Sequence, residues 1–195
     1  MAQRIKAIIV GDSGAGKSSL VSQLVNNEFP ESKPVNPPRN FFNDFVFLLD
    51  KTKYRIQLGE FVDTNTEISG YGLEFKGARI VIGLVSSSVD SSLSNISNWL
   101  ILRERLVADD IPYVKVLVQN IVTDQPKTIT SEEAKQAAEK MGIHYFEINI
   151  KTGEGIQEMF KSVLNDVLNQ DPTLKESASV QEGKKKGKGK KCIII

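Results

Sequence analysis

The stretch Gly11-Asp12-Ser13-Gly14-Ala15-Gly16-Lys17-Ser18 restricts the fold of this chain more than any other. It follows the apolar run Ala7-Ile8-Ile9-Val10 and leads into Ser19-Leu20-Val21-Ser22-Gln23-Leu24-Val25. The pattern is a buried strand, a glycine loop and a helix, with Gly-x-x-x-x-Gly-Lys-Ser at the junction. Glycines let the backbone curl so that successive N–H groups converge on an anion. The helix N-terminus adds its partial positive charge at the same place. In such a loop Lys17 reaches the terminal phosphates and the Ser18 hydroxyl takes a magnesium position. A chance Gly-rich turn does not account for all eight positions together with the period of both flanks. The stretch is predicted to cradle phosphate.

The remaining composition bounds the classes of function. At 195 residues, 40% hydrophobic and 25% charged, the chain suits one globular domain with a tail. Its net charge of +1 hides an asymmetry, because six lysines (Lys184, Lys185, Lys186, Lys188, Lys190 and Lys191) crowd the C-terminus. Subtracting those six from +1 leaves −5 for the body. A mildly acidic body carries no nucleic-acid footprint, and no nucleic-acid partner is expected. No run of eighteen apolar residues is present, so no membrane-spanning segment is predicted. Met1-Ala2-Gln3-Arg4 leads straight into a strand, which argues against a signal peptide. With one cysteine, Cys192, an internal disulfide is impossible and a reducing cytosolic setting is expected.

Hydrophobic periodicity predicts strands at 4–10, 41–49, 54–58, 79–85, 113–118 and 144–148, and helices at 17–26, 131–142 and 155–168. Asp50-Lys51-Thr52-Lys53 is the turn of a hairpin. The Ser-rich stretch 86–97 is a loop and a capped helix entry, with Leu93, Ile96, Trp99 and Leu100 on its buried side. Prolines at 30, 34, 37 and 38 make residues 26–40 a long loop beside the phosphate site. Residues 59–77 read as a second irregular segment. His144 and the cluster Phe41, Phe42, Phe45 and Phe47 are expected to serve packing. Alternating strands and helices predict an α/β fold with a six-stranded, mostly parallel sheet and helices on both faces. Ligands of such sheets bind at the carboxyl ends of the strands.

This order of elements resembles the small GTPases of the Ras superfamily, most closely the Rab family. The phosphate loop is similar to the Rab form, in which Asp-Ser follows the first glycine. Ile56-Gln57-Leu58 resembles the strand before the family's Asp-Thr-Ala-Gly-Gln, and Lys76-Gly77-Ala78 its Arg-Gly-Ala. Trp99-Leu100 falls where the Rab helix carries Trp-Leu, and Thr152-Gly153-Glu154-Gly155-Ile156 matches the stretch after Ser-Ala-Lys. The resemblance covers residues 4–170 and implies a GTP/GDP-binding domain using Mg2+. It carries nucleotide contacts onto Gly11, Asp12, Ser13, Gly14, Ala15, Gly16, Lys17, Ser18, Ser19, Asn120, Ile150 and Lys151, and metal positions onto Ser18 and Glu60.

The departures from the family fall on its chemistry. The first-switch threonine, which touches magnesium and γ-phosphate, is matched by Pro37 or Asn36; proline supplies neither hydroxyl nor N–H. The magnesium-linked aspartate is Glu60, one methylene longer and placed to act through water. The glycine whose N–H meets γ-phosphate is Asp63, whose charge repels it, and the water-orienting glutamine is Thr64, too short for that task. Asn-Lys-x-Asp reads Asn120-Ile121-Val122-Thr123. A charged hydrogen bond contributes roughly 1.5–3 kcal/mol, so losing two from the base costs about two decades of affinity or more. Asp124 is a candidate substitute acceptor. Ser-Ala-Lys reads Asn149-Ile150-Lys151, which retains the central N–H on a bulkier residue. Of the aromatic triad read by Rab effectors only Phe42 is matched, the other positions aligning with Gly59 and with Glu74 or Phe75. No catalytic residue is assigned.

Cys192-Ile193-Ile194-Ile195 fits the Cys-a-a-X prenylation signal behind a polybasic run. One lipid chain anchors marginally, and lysines near an anionic leaflet add about 1 kcal/mol each. The sequence leaves farnesyl and geranylgeranyl open. The expectation is a G domain at 1–170 and a disordered tail at 171–195 holding the protein on the cytosolic face of a membrane, with a cytosolic pool. Three functions stay open: a Rab-like switch in trafficking or signalling with weak or absent hydrolysis, a pseudo-GTPase scaffold with no nucleotide cycle, and a nucleotide binder without guanine preference. Effectors and regulators are not named by the sequence.

Overall fold

A computed structural model describes residues 4–30, 42–61 and 72–175. The strands are β1 (Arg4–Val10), β2 (Phe42–Leu49), β3 (Thr52–Glu60), β4 (Ala78–Ser86), β5 (Val114–Asn120) and β6 (His144–Ile148). They form one sheet in the order β2-β3-β1-β4-β5-β6. Only β2 runs antiparallel to its neighbour; the other pairings are parallel. The helices are α1 (Lys17–Asn26), α2 (Gly72–Phe75), α3 (Ser91–Leu100), α4 (Leu102–Leu106), α5 (Ser131–Met141) and α6 (Ile156–Gln170).

The continuous apolar strands read from the sequence are central because both sheet faces are covered. Successive side chains alternate between two cores. Ile5, Ala7 and Ile9 of β1 pack with Leu20 and Leu24 of α1 and with Met159, Phe160, Val163 and Val167 of α6. Ile8 and Val10 face the opposite side, with Ile96 and Leu100 of α3 and Ala138 of α5. Gly83 of β4 is where α3 comes closest: an added Cβ would lie 2.9 Å from Leu100 Cδ2 and 3.1 Å from Ile96 Cδ1. Phe45 and Phe47 serve packing as expected, their rings 5.6 and 5.0 Å from that of Phe160. His144 does not. Its side chain is exposed, with Nδ1 3.9 Å from the Asp166 carboxylate.

Several boundaries move for identifiable reasons. The hairpin turn is the two residues Asp50 and Lys51, with φ of 47° and 68°, because the right-handed twist of paired strands favours turns with positive φ. Thr52 and Lys53 therefore belong to β3. That strand runs on through Gly59 and Glu60, which the sequence reading placed in an irregular segment. Parallel pairing of Ile8 with Gly59 and of Ile9 with Glu60 draws them into the sheet. The Phe42 ring lies over Gly59, where a Cβ would stand 2.6 Å from Cε1. The short helices α2 and α4 were not anticipated. Beyond α6, Leu174 is buried in the core and Asp171 pairs with Arg79 at 2.8 Å, so the ordered body continues past 170. Helix α5 opens on a capping box in which Thr130 and Glu133 exchange hydrogen bonds.

Helix α4 carries a buried cation. Arg103 donates through Nε to the Ala78 carbonyl at 2.9 Å and through Nη2 to Asp109 and the Ile111 carbonyl, while its guanidinium lies 4.0 Å from the Tyr113 ring centroid. Burial alone would raise the Asp109 carboxyl, but the Gly77 N–H, the Arg103 charge and the Ile111 N–H outweigh it and hold its pKa below the ordinary value. A carboxyl depressed on folding contributes stability that is complete above its unfolded pKa and disappears as pH falls through the folded one. Urea unfolding of Asp109→Asn should therefore lose less stability than the parent between about pH 6 and about pH 3. At about pH 7, Arg103→Met should destabilise by about 3–5 kcal/mol, because it strands Asp109 in a half-dry site. Thermal melts would check the second expectation, and unchanged midpoints would contradict it.

Candidate functional site

The loop between β1 and α1 takes its shape from contact with the sheet. Gly11 has φ of 141°, and a Cβ there would lie 2.3 Å from the Leu84 carbonyl oxygen of β4. No other residue fits so close an approach. Gly14 and Gly16 have φ of 85° and 101°, the latter at the N-cap of α1. Lys17 folds back over the loop, its Nζ donating to the carbonyls of Gly11 at 2.7 Å and Asp12 at 2.9 Å. A cation is thus held above a curled backbone at the positive end of a helix. Ser13 is exposed, and Ala15 is fully buried under the loop. Ser19 lies half-buried in the first turn of α1.

Glu60, brought alongside the loop by β3, accepts a hydrogen bond from the Ser18 hydroxyl to Oε2 at 2.7 Å. The longer side chain reaches the serine directly. A hydroxyl and a carboxylate side by side are hard oxygen donors, the chemistry that magnesium prefers. Among the described residues no cluster of three or more His, Cys, Asp or Glu side chains could hold a metal by itself. The ion's remaining ligands would come from phosphate and water.

The residues expected to meet the base lie at the end of β5 and just after β6. Asn120 ends β5, and its Oδ1 accepts the Ile150 N–H at 3.2 Å. Ile150 is 1% exposed. Its Cδ1 approaches Gly16, where an added Cβ would stand 3.0 Å away, with Asn120 Nδ2 at 3.3 Å. The extra bulk at this position is therefore taken up by the core and by the underside of the loop. The loop after Asn120 is pinned by Ser87. Its hydroxyl accepts the Val122 N–H at 2.9 Å, and its carbonyl accepts the N–H groups of Thr128 and Ile129 at 2.8 and 3.1 Å. Thr123 donates to Asp124 Oδ1 at 3.0 Å, and Lys151 forms an ion pair with the other carboxylate oxygen. Hydrogen bonds from Lys151 and Thr123 hold the Asp124 pKa below its ordinary value. A carboxylate thus stands next to Thr123, tied to the lysine that follows Ile150.

Sequence reasoning missed two contacts at the site. Asp12 of the phosphate loop accepts hydrogen bonds from Trp99 Nε1 to Oδ1 at 2.5 Å and from Asn95 Nδ2 to Oδ2 at 2.9 Å. Asn95 and Trp99 lie four apart on one face of α3, but nothing local in the sequence points from that face to Asp12. The predicted positions Asn36, Pro37, Asp63, Thr64 and Cys192 lie outside the described residues.

Comparison with known proteins agrees with this arrangement. A sequence model of the Ras family matches residues 6–169. The chain is 28% identical over 171 residues to the Ras-related protein RABG3f of Arabidopsis thaliana, covering 84% of this chain and 82% of that protein. It is 28% identical over 176 residues to the Ras-related protein Rab7 of Prunus armeniaca, covering 86% and 84%. It is 23% identical over 163 residues to the Ras-related protein RABE1e of Arabidopsis thaliana, covering 84% and 74%. With the strand order, the glycine loop and the convergence of Lys17, Ser18, Glu60 and Asn120 already in place, the chain belongs to the Ras family of GTP-binding small GTPases and is a Rab-like member of it.

Proposed function

We propose that this chain is a Rab-like guanine-nucleotide switch, tethered to the cytosolic face of a membrane, that hydrolyses GTP weakly or not at all. The observation that carries the reading is the complete phosphate loop, with Lys17 folded over it and Ser18 beside Glu60. Ser18 and Glu60 would hold Mg2+, which when bound neutralises phosphate charge. The Ser18 hydroxyl donates its proton to Glu60, which leaves its oxygen lone pairs free to ligate the ion. The weakening of metal binding that we propose comes from the first switch, where neither Pro37 nor Asn36 supplies a threonine hydroxyl. The Asn120 pairing of the Ile150 N–H must be exchanged for a contact with the base. Hydrolysis needs an oriented water and a stabilised γ-phosphate. Thr64 and Asp63 are unsuited to those roles, and neither Pro37 nor Asn36 is a threonine.

A second reading, a scaffold without a nucleotide cycle, is favoured by one feature: the Ile150 N–H, which would meet the base, is taken by Asn120 Oδ1. Calorimetric titration with GDP, GTP and ATP, with and without magnesium, separates the two. The switch reading expects guanine-nucleotide binding, and absence of binding at millimolar nucleotide would leave the scaffold. Base selectivity should be weak in the parent and should rise by one to two decades in favour of GTP over ATP in Thr123→Asp, which restores a charged acceptor. An unchanged GTP-to-ATP ratio in that variant would contradict the assignment of the base pocket.

The membrane part of the proposal rests on Cys192 and the six lysines before it. A prenyl chain supplies marginal binding, and the lysines strengthen it on an anionic surface. Cys192→Ser should move the protein from the membrane pellet to the supernatant on cell fractionation. Persistence in the pellet would contradict lipid anchoring at this cysteine.

A further inference from the structure

A carboxylate stands in the phosphate-binding loop, Asp12 at its second position. The structure shows how it is occupied: both its oxygens accept hydrogen bonds from α3, at 2.5 Å from Trp99 Nε1 and at 2.9 Å from Asn95 Nδ2. The backbone of the same residue serves the loop itself, because the Asp12 carbonyl accepts from Lys17 Nζ at 2.9 Å and from the Ala15 N–H at 3.3 Å. Asp12 therefore joins the phosphate-binding backbone to a helix on the far side of it.

The contact continues beyond the helix. The Trp99 ring meets the Phe61 ring edge-on, with centroids 5.6 Å apart and planes at 61°. Phe61 directly follows Glu60, and its N–H extends the β3 ladder to the Ile9 carbonyl at 2.8 Å. Glu60 returns to the loop through Ser18. The path Asp12–Trp99–Phe61–Glu60–Ser18 is a closed circuit that clasps the phosphate loop at both ends. It passes through the residue with which the described part of β3 enters the second switch.

Building on the proposed nucleotide binding, we infer that Trp99 is a positioning residue for the phosphate loop and that filling of the loop is transmitted through Asp12 and Trp99 to Phe61 and the α3 surface. The two donors fix the Asp12 carboxylate and thereby the carbonyl that orients Lys17. A nucleotide that draws Lys17 towards its phosphates alters the partners of the Asp12 carbonyl and shifts the indole. This route bypasses the γ-phosphate glycine, which the chain has replaced with Asp63. Coupling of this kind is reciprocal, so a protein that engages Asn95 and Trp99 on α3 changes nucleotide affinity by the factor that nucleotide changes its own.

Trp99 is the single tryptophan in the chain, so the full-length protein labelled with nitrogen-15 gives one indole N–H resonance. Saturating GDP should shift that resonance in the parent. In Asp12→Ala, saturated at its own higher GDP concentration, the shift should be lost. Trp99→Phe keeps a ring against Phe61 but removes the donor, and should weaken GDP binding about tenfold by calorimetry with little change in far-ultraviolet circular dichroism. An indole resonance unmoved by GDP that the calorimeter shows to be bound overturns the coupling alone. A full shift in Asp12→Ala, or parent-like affinity in Trp99→Phe, does the same. A parent that binds no nucleotide overturns the proposed function and this inference together.

Discussion

Everything at the site depends on the closeness with which Gly11 leaves the sheet. Strand β1 lies between β3 and β4 with both faces buried, so the chain must turn out of the sheet at a fixed point. The Leu84 carbonyl of β4 stands where a side chain at residue 11 would have to go. That contact fixes where the loop starts; Gly16, wedged above Ile150 and Asn120, fixes where it ends. Between these two anchors the backbone has little choice but to curl, and the curl is the anion site. The sheet core thus sets the geometry of the functional loop before any ligand arrives. The loop's remaining contacts, Lys17 on its carbonyls and Ser18 on Glu60, depend on that placement.

The rest of the site shows a Ras-family frame whose groups satisfy one another. Glu60 answers the Ser18 hydroxyl, Asn120 answers the Ile150 N–H, and Lys151 answers Asp124. Of these pairings, that of the Ile150 N–H uses the one donor a ligand would need there, whereas the Ser18 oxygen keeps its lone pairs free. The pairings also keep polar groups of the site satisfied within the protein. Fold alone does not decide between a switch and a scaffold; the balance of these contacts does.

Much of this was legible in the sequence because the signals were local and periodic. The glycine loop, the buried strands and α6 with its spaced apolar residues each declare themselves within a short window. The extent of β3 was not legible. Gly59 and Glu60 look irregular in isolation, and only pairing with Ile8 and Ile9 makes them strand. The small helices α2 and α4 are too short for periodicity to register. At the site, Ile150 is bulkier than its counterpart in the family, and only the fold shows its side chain turned into the core. The Asp12 contacts join residues more than eighty positions apart, a separation no local pattern spans. His144, expected to serve packing, lies instead at the exposed start of an edge strand.

The central claim is that a sound phosphate cradle here works without the groups that drive turnover. The most direct test is a single-turnover assay, in which the purified full-length chain is loaded with GTP labelled at the γ-phosphate, freed of excess nucleotide, and followed for phosphate release in the presence of magnesium. The account predicts that GTP stays bound and intact, with release slower than about 10⁻⁴ s⁻¹, below the intrinsic rate of Ras itself. Release at or above that intrinsic rate would contradict it.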